Sequence, residues 1–449
     1  MLINEILNCA KKMGFDKQEV TVIQDKNIIV ELSALLEETV ISSNVSFFVF
    51  RGMLNNKYVM FHSENCDIDS LYDQIKEASE TEGLSIEMLT PAVVQFNDSN
   101  LVKSTTMYVP QKSKEHLLKK AKELYNSVQI IFETLKNGKN DKVFVEQCRV
   151  GTLQNNICTK NNSGFLYKQK KNYYYAFLSL KLKVDESVHC VSDFQYCERF
   201  SDLEIETFVS KLLLSLLAKS KAKALNVSGM YTVVFSNKVT AHLLEAFCPI
   251  FFEANIKSGH SCLKNKFNYQ IANPIINIVD SGHCEYTSHT VEYDFEGTPV
   301  TEKTIIRNGF FVDCLQESIH LDLGQKAAGG NVFLYEDTIG TNISNFYIRP
   351  SSVSFEELIN IDYGLLITEI SDLKGIVSFS TGDISATISG FEIVSGKIGN
   401  AFENRILNSN ICDILKKATS LDCNMFFTIP NNCGSVGAPN VRLKDICIS

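Results

Sequence analysis

Histidine and cysteine stand close together in one stretch of this chain, where imidazole and thiolate could share a soft or borderline cation. Gly259-His260-Ser261-Cys262 and Gly282-His283-Cys284, followed by His289, carry these groups. Their spacing matches no standard zinc template, so the plainer reading is loop and strand residues whose thiols act as small hydrophobes. His189-Cys190 and His283-Cys284 could each be read as a nucleophile beside its base. Adjacent residues on a strand point to opposite faces, which works against either pair.

Two glycine turns invite a phosphate reading. Neither Thr381-Gly382-Asp383-Ile384-Ser385 nor Ala327-Ala328-Gly329-Gly330-Asn331 leads into the Lys-Ser/Thr pair that opens a phosphate-binding helix. Structural turns lining a groove explain them better. Tyr173-Tyr174-Tyr175 could stack on bases, but only Lys168, Lys170 and Lys171 accompany it, so sheet packing is the simpler use.

The elements that must position these residues belong to a long chain. Its 449 residues divide into two or three domains at about 150 residues each, and two is the working number. With 45% hydrophobic and 21% charged residues it can bury a sizeable core. A formal charge of −9 and dispersed basic residues, with only a short run from Lys112 to Lys122, argue against a nucleic-acid partner. The start at Met1 has no basic-then-apolar leader, and the apolar run from Leu212 to Leu217 is broken by Ser215, so neither secretion nor membrane spanning is expected. Fourteen cysteines without a Cys-x-x-Cys pair read as reduced thiols of a cytoplasmic protein.

Helical spacing predicts a first helix from Ile3 to Met13, stopped by Gly14. Short strands are expected at Glu19 to Val22, Ile28 to Leu32, Ser46 to Arg51 and Tyr58 to His62. Helices are expected over Ile68 to Ala78 and Lys112 to Leu135, then an extended stretch from Lys142 to Val150 and a hairpin around Asn161 to Gly164. Ser201-Asp202-Leu203-Glu204 has the form of a capping box for a helix running to about Leu225. After Gly229 one helix, Thr240 to Asn255, precedes strands and glycine turns. The expected fold is α+β, with a mixed helix and sheet domain over 1–228 and a larger domain rich in antiparallel β-structure over 229–449.

A series of motifs in the second half resembles the TldD/PmbA peptidase family, whose members are also called modulators of DNA gyrase. Tyr293-Asp294-Phe295-Glu296-Gly297-Thr298 resembles its acidic turn, and Ile306-Arg307-Asn308-Gly309 its hairpin. Leu323 to Asn331 is similar to the segment ending Ser-Thr-Gly-Asn, and Ser344 to Ile348 to the segment Thr-Asn-Leu-Tyr-Ile. Thr381 to Ser385, Gly390-Phe391-Glu392-Ile393 and Ser395-Gly396-Lys397 form the most specific block. Asn162-Ser163-Gly164 and the opening helix followed by Glu19 and Val20 add weaker matches in order.

Catalytic members of that family carry His-Glu-x-x-x-His on a helix, two metal ligands around a general base. The resemblance sets Leu244-Glu245-Ala246-Phe247-Cys248-Pro249 at this place, so Leu244 and Pro249 stand where histidines are expected and only Glu245 remains. Cys433 falls where the family takes a third ligand, but it lacks companions. The resemblance therefore implies a chain most similar to the metal-free TldE/PmbA subunits, binding no cofactor itself. Zinc is expected in a TldD-like partner, and together the two would cleave unfolded or extended peptides. Asn331, Asn345, Thr381, Gly382, Asp383 and Ser385 are the expected substrate-groove residues. Two alternatives remain open: a stand-alone hydrolase using His260, Cys262, His283 and Cys284, and a homodimeric peptide-binding protein without catalysis.

Overall fold

The computed structural model describes the chain apart from Met1, Asn56, Ser288 and residues 65–67, 82–83, 86–101, 107–111, 137–140, 185–186, 222–227, 295–297, 317–329, 336–337, 372–376 and 431–433. Cys433 and the segment 323–329 therefore lie outside the described residues, as does the centre of the acidic turn. The chain divides into two compact units, Met1–Ser220 and Lys221–Ser449. Strands dominate both and pair mostly antiparallel, with helices packed on the sheets, which makes the fold α+β.

The first unit begins with α1 (Leu2–Lys12), then β1 (Lys17–Leu32), β2 (Glu38–Leu54), β3 (Lys57–Ser63), α2 (Ile68–Thr81), β4 (Leu84–Ser85) and β5 (Val102–Thr106). It continues with α3 (Lys114–Leu135), β6 (Lys142–Asn161), β7 (Leu166–Val184), β8 (Ser187–Cys197) and α4 (Ile205–Ser220). One eight-stranded sheet runs β4-β3-β2-β1-β6-β7-β5, with β8 also paired to β7. Ile6 and Ala10 of α1 and Leu71 and Ile75 of α2 cover Phe48, Phe50 and Val59. A second core packs Leu117, Leu124 and Phe132 of α3 and Val209, Leu213 and Leu216 of α4 on Val150, Leu178 and Leu180.

The expected short strands at Glu19–Val22 and Ile28–Leu32 are one continuous strand. Gln24-Asp25-Lys26-Asn27 reads as a break in sequence, but these polar residues face polar partners across the sheet. Asn155 Nδ2 donates to Asp25 Oδ1 at 2.7 Å, and Asn156 Nδ2 to Gln24 Oε1 at 3.4 Å. The expected capping box at Ser201 does not form either. Ser201 Oγ donates instead to Asp202 Oδ1 at 2.9 Å, a short 3₁₀ turn occupies Phe200–Asp202, and α4 starts at Ile205. Its predicted end near Leu225 falls beyond Ser220, where α4 stops.

The second unit opens with β9 (Gly229–Phe235), α5 (Asn237–Phe247) and α6 (Glu253–Ser258). Then follow β10 (Ile278–Ser281), β11 (Lys303–Arg307), β12 (Phe310–Phe311), β13 (Val332–Tyr335), β14 (Thr338–Thr341), β15 (Asn345–Ile348), α7 (Phe355–Leu358) and β16 (Tyr363–Ser371). The chain finishes with β17 (Asp383–Val394), β18 (Lys397–Asn410), α8 (Ile411–Lys417), β19 (Ala418–Leu421), β20 (Phe426–Phe427), β21 (Ser435–Ala438) and β22 (Val441–Ile448). Strands β18-β17-β16-β9-β22 form a sheet that closes on itself where Leu407 of β18 pairs with Ile448 of β22. A second sheet runs β12-β11-β10-β15-β21-β20, and β13 and β14 form a separate hairpin. The large core of this unit joins the closed sheet, the second sheet and α5 through Phe235, Leu243, Phe247, Ile278, Phe346 and Leu443.

The single helix expected over Thr240–Asn255 is two helices with a 3₁₀ turn between them. Ser236 caps α5, its Oγ accepting from Val239 N at 3.3 Å. Pro249 has no amide to continue the ladder, so α5 passes into the turn Cys248–Phe251 and α6 starts afresh at Glu253.

Candidate functional site

The helix α5 carries the positions at which the sequence raised the question of metal. Leu244 is buried at 2% exposure and belongs to the main core of its unit. It lines a cavity of about 20 Å³ together with Leu243, Ile276, Ile348, Ile414 and Leu443. Thr240 also lines this cavity, but its Oγ1 donates to Ser236 O at 3.0 Å. An ion or water in such a space would find no set of donors to replace its hydration.

Glu245 lies on the other side of the helix, partly exposed, with His242 Nδ1 3.5 Å from its Oε2. The His242 ring stacks obliquely on Phe426, with centroids 5.9 Å apart. Pro249 serves the backbone: its carbonyl accepts from Asn255 Nδ2 at 2.8 Å and from Phe252 N at 3.2 Å. A leucine in the core and a proline at the helix end do not fit a metal held in the manner of His-Glu-x-x-x-His.

The His260, Cys262, His283 and Cys284 group has no common centre. His260 Nδ1 is 2.9 Å from Ser258 Oγ on an exposed turn, and His283 is exposed as well. Cys284 packs against Val279, Tyr347 and Phe427, whereas Cys262 packs against the main core of the unit. Among the described residues, no three His, Cys, Asp or Glu side chains converge as ligands.

Asn331 and Asn345 are both fully buried. Asn331 Nδ2 donates to Asp280 Oδ2 at 2.7 Å and to Asn342 O at 3.0 Å, while its Oδ1 accepts from Lys303 Nζ. Asp280 Oδ1 accepts from Ser344 N at 2.8 Å. Asn345 Nδ2 donates to Ser281 O and His289 O, each at 3.0 Å, and its Oδ1 accepts from Ser435 Oγ at 3.0 Å. These amides tie β10, β15 and β21 and the loops at their ends into one hydrogen-bonded block. The sequence reading singled out the two asparagines but missed the charges that anchor them, Asp280 and Lys303. An aspartate directly after the mostly apolar stretch Ile275 to Val279 and a lysine opening the strand Thr304-Ile305-Ile306 were the available signals. Burial lowers the affinity of Lys303 for its proton despite Asp280, 4.0 Å away, so desolvation outweighs the attraction.

The turn at Thr381–Asp383 is the exposed part of the expected groove. Gly382 takes φ +84°, a left-handed conformation that favours glycine. Thr381 Oγ1 accepts from Asp383 N at 3.3 Å, and Asn410 Nδ2 donates both to Thr381 O at 2.8 Å and to Asp383 Oδ1 at 2.9 Å. Hydrogen bonds from Thr381 and Asn410 hold the Asp383 carboxyl below its ordinary range. Ser385 lies further along β17, half-buried, opposite Asn408.

Residues 228–449 match the C-terminal domain of the PmbA/TldA metallopeptidases. A protein of Methanocaldococcus jannaschii without assigned function is 25% identical over 270 residues, 58% of this chain and 61% of that one. A protein of Methanothermobacter thermautotrophicus named a metalloprotease is 24% identical over 238 residues, 49% of this chain and 50% of that one. The chain thus spans about half to three fifths of these relatives. Whole-chain likeness is clearest among solved structures. A proposed modulator of a DNA gyrase from Thermotoga maritima matches with a TM-score of 0.84 at 18% identity, covering 100% of this chain and 99% of that one. TldE from Thermococcus kodakarensis matches with a TM-score of 0.79 at 16% identity, covering 100% of both. At these identities the likeness speaks for the fold. Taken with the match across the whole second unit and the ordered motifs within it, the chain belongs to the PmbA/TldD family.

Proposed function

We propose that this chain is a metal-free subunit that holds extended peptides for cleavage by a zinc-bearing partner of the same family. The observation that carries the reading is the chemistry of α5, where Leu244 fills the core and Pro249 ends the helix, so that Glu245 has His242 beside it but, among the described residues, belongs to no set of three ligands. A general base of this kind works on a metal-activated water, and the partner would supply that water from its own His-Glu-x-x-x-His helix. The structural likeness to a protein named TldE supports the assignment of role.

A place for an extended chain is at hand in the first unit. Among the described residues, the Thr39–Phe47 stretch of β2 pairs only with β1, because β3 joins β2 from Phe48 onward. This edge, Thr-Val-Ile-Ser-Ser-Asn-Val-Ser-Phe, has neither charge nor proline to keep another strand away. Addition of a peptide as a further strand would use its free amides and carbonyls.

The test is cleavage of an unfolded peptide by this chain alone and with its metal-bearing companion, each with and without chelator. Activity is expected only in the mixture, and chelator should remove it. Chelator-sensitive cleavage by this chain alone, or one equivalent of tightly bound zinc in it, would refute the reading. A Ser43→Lys variant should fold normally yet bind peptide more weakly; unchanged binding would move the peptide away from the β2 edge.

A further inference from the structure

The free edge of β2 has two unlike faces. From Thr39 to Phe47 the strand pairs with β1 on one side, and on the other side β3 joins only at Phe48, opposite Ser63. Among the described residues this leaves an open slot about 30 Å long at the usual rise of a strand. Alternate amides and carbonyls along it point away from β1, as in any antiparallel pair. Thr39, Ile41, Ser43, Val45 and Phe47 stand on one face of the sheet, and Val40, Ser42, Asn44 and Ser46 on the other.

The first face is apolar and open to solvent. Ile41 is 48% and Val45 44% exposed, and Phe47 is half-buried. Ile29 of β1 lies opposite Ile41, and Ile23 opposite Phe47, so the apolar character extends across both strands. Ser43, between Ile41 and Val45, is small and leaves room for a bulky neighbour. On the second face Val40 packs against the core shared with α3 and α4, while Ser42, Asn44 and Ser46 offer polar groups. Carboxylates bound the slot at both ends. Glu37 is exposed in the turn before β2, and Glu64 is exposed directly after β3, next to Ser63. A strand added here lies in line with β3, which brings its two ends to these two acids. The formal charge of −9 on the whole chain acts in the same direction.

We infer that the β2 edge selects its peptide: a strand with apolar side chains at alternate positions and cationic residues at its ends. This preference rests on the reading of the edge as the peptide site. Peptide residues opposite Ile41, Ser43 and Val45 share their face and form cross-strand pairs with them, which favours aliphatic and aromatic groups there. The intervening residues meet Ser42, Asn44 and Ser46 and are favoured polar. A slip of one residue would set the polar group against Ile41 and Val45, so the alternation also fixes the register. Proline within the strand is disfavoured, because it brings no amide to the edge.

The experiment measures fluorescence anisotropy of labelled peptides mixed with the full chain. One peptide alternates valine and serine between terminal lysines. A second has the same composition with its valines in adjacent pairs, and a third repeats the first with glutamate in place of the lysines. The alternating peptide should bind about tenfold more tightly than the paired one, because three facing positions each gain a cross-strand contact. Glutamate ends should weaken it about fivefold at low salt. In the double variant Ile41→Ser/Val45→Ser, at two exposed positions, the first two peptides should bind alike while circular dichroism is unchanged. Equal affinity of those two for the parent, still weakened by Ser43→Lys, would overturn the alternating preference and leave the edge as the peptide site. Equal affinity of the first and third would overturn the preference for cationic ends. Binding that Ser43→Lys leaves unchanged, or no binding of any peptide, would overturn the preference and the edge together.

Discussion

Lys303 and Asp280 are buried at 5% and 0% exposure, and each is tolerated because of the other and of Asn331 between them. Removing one member of such a group leaves the other charge without compensation, which costs far more than the pair itself contributes. Lys303→Met should destabilise the second unit by about 3–5 kcal/mol in denaturant unfolding. Adding Asp280→Asn should recover part of that loss, since the Asn331 amide can then turn over and accept from the new side chain. Asp313 tests the opposite sign. Burial raises its carboxyl affinity for protons above the ordinary value, against the pull of Lys303. An acid raised in the folded state contributes stability while protonated and loses it as pH climbs through the folded value. Asp313→Asn keeps a carbonyl to accept from Cys314 N, a contact of 2.8 Å in the parent. The variant should therefore melt above the parent at pH 7–8, with the difference closing toward pH 4, as scanning calorimetry would record.

At the scale of elements, the backbone of β16 leaves no room for a side chain at Gly390 of β17. A Cβ on this residue would lie 1.9 Å from Leu366 O, so the strands must part for any side chain to fit. Gly390→Ala should cost about 1–3 kcal/mol, the range of overpacking, and shift β16 amides in NMR spectra. This glycine also marks how much the sequence disclosed. The block Gly390-Phe391-Glu392-Ile393 was legible as a motif, and the helices α1, α2 and α3 were legible from their apolar spacing. Long strands were less so, because Asp25 and Asn27 look like turn residues until Asn155 and its neighbours are seen opposite them. Leu244 and Pro249 were singled out only through the resemblance to the family's His-Glu-x-x-x-His helix. That Leu244 is core depended on contacts between distant segments, which no local pattern carries.

At the scale of the whole molecule, the two units have separate means of holding together. The first places α1 and α2 on one part of its sheet and α3 and α4 on another. The second buries its largest core between a closed sheet, a second sheet and α5. Each has far more than the roughly 50 residues at which domains begin to fold alone. Residues 1–220 and 221–449, produced as separate chains, should each unfold cooperatively, with circular dichroism that sums to that of the intact protein. The Lys303→Met loss should then appear in the second chain and leave the first unchanged. A second unit that is molten by near-ultraviolet dichroism would show that its core needs the first unit. Because the α5 site and the β2 edge lie in different units, the separated chains also divide the proposed function. Peptide binding should follow residues 1–220 if the β2 edge is the docking strand, whereas association with the metal-bearing partner would be measured on both chains.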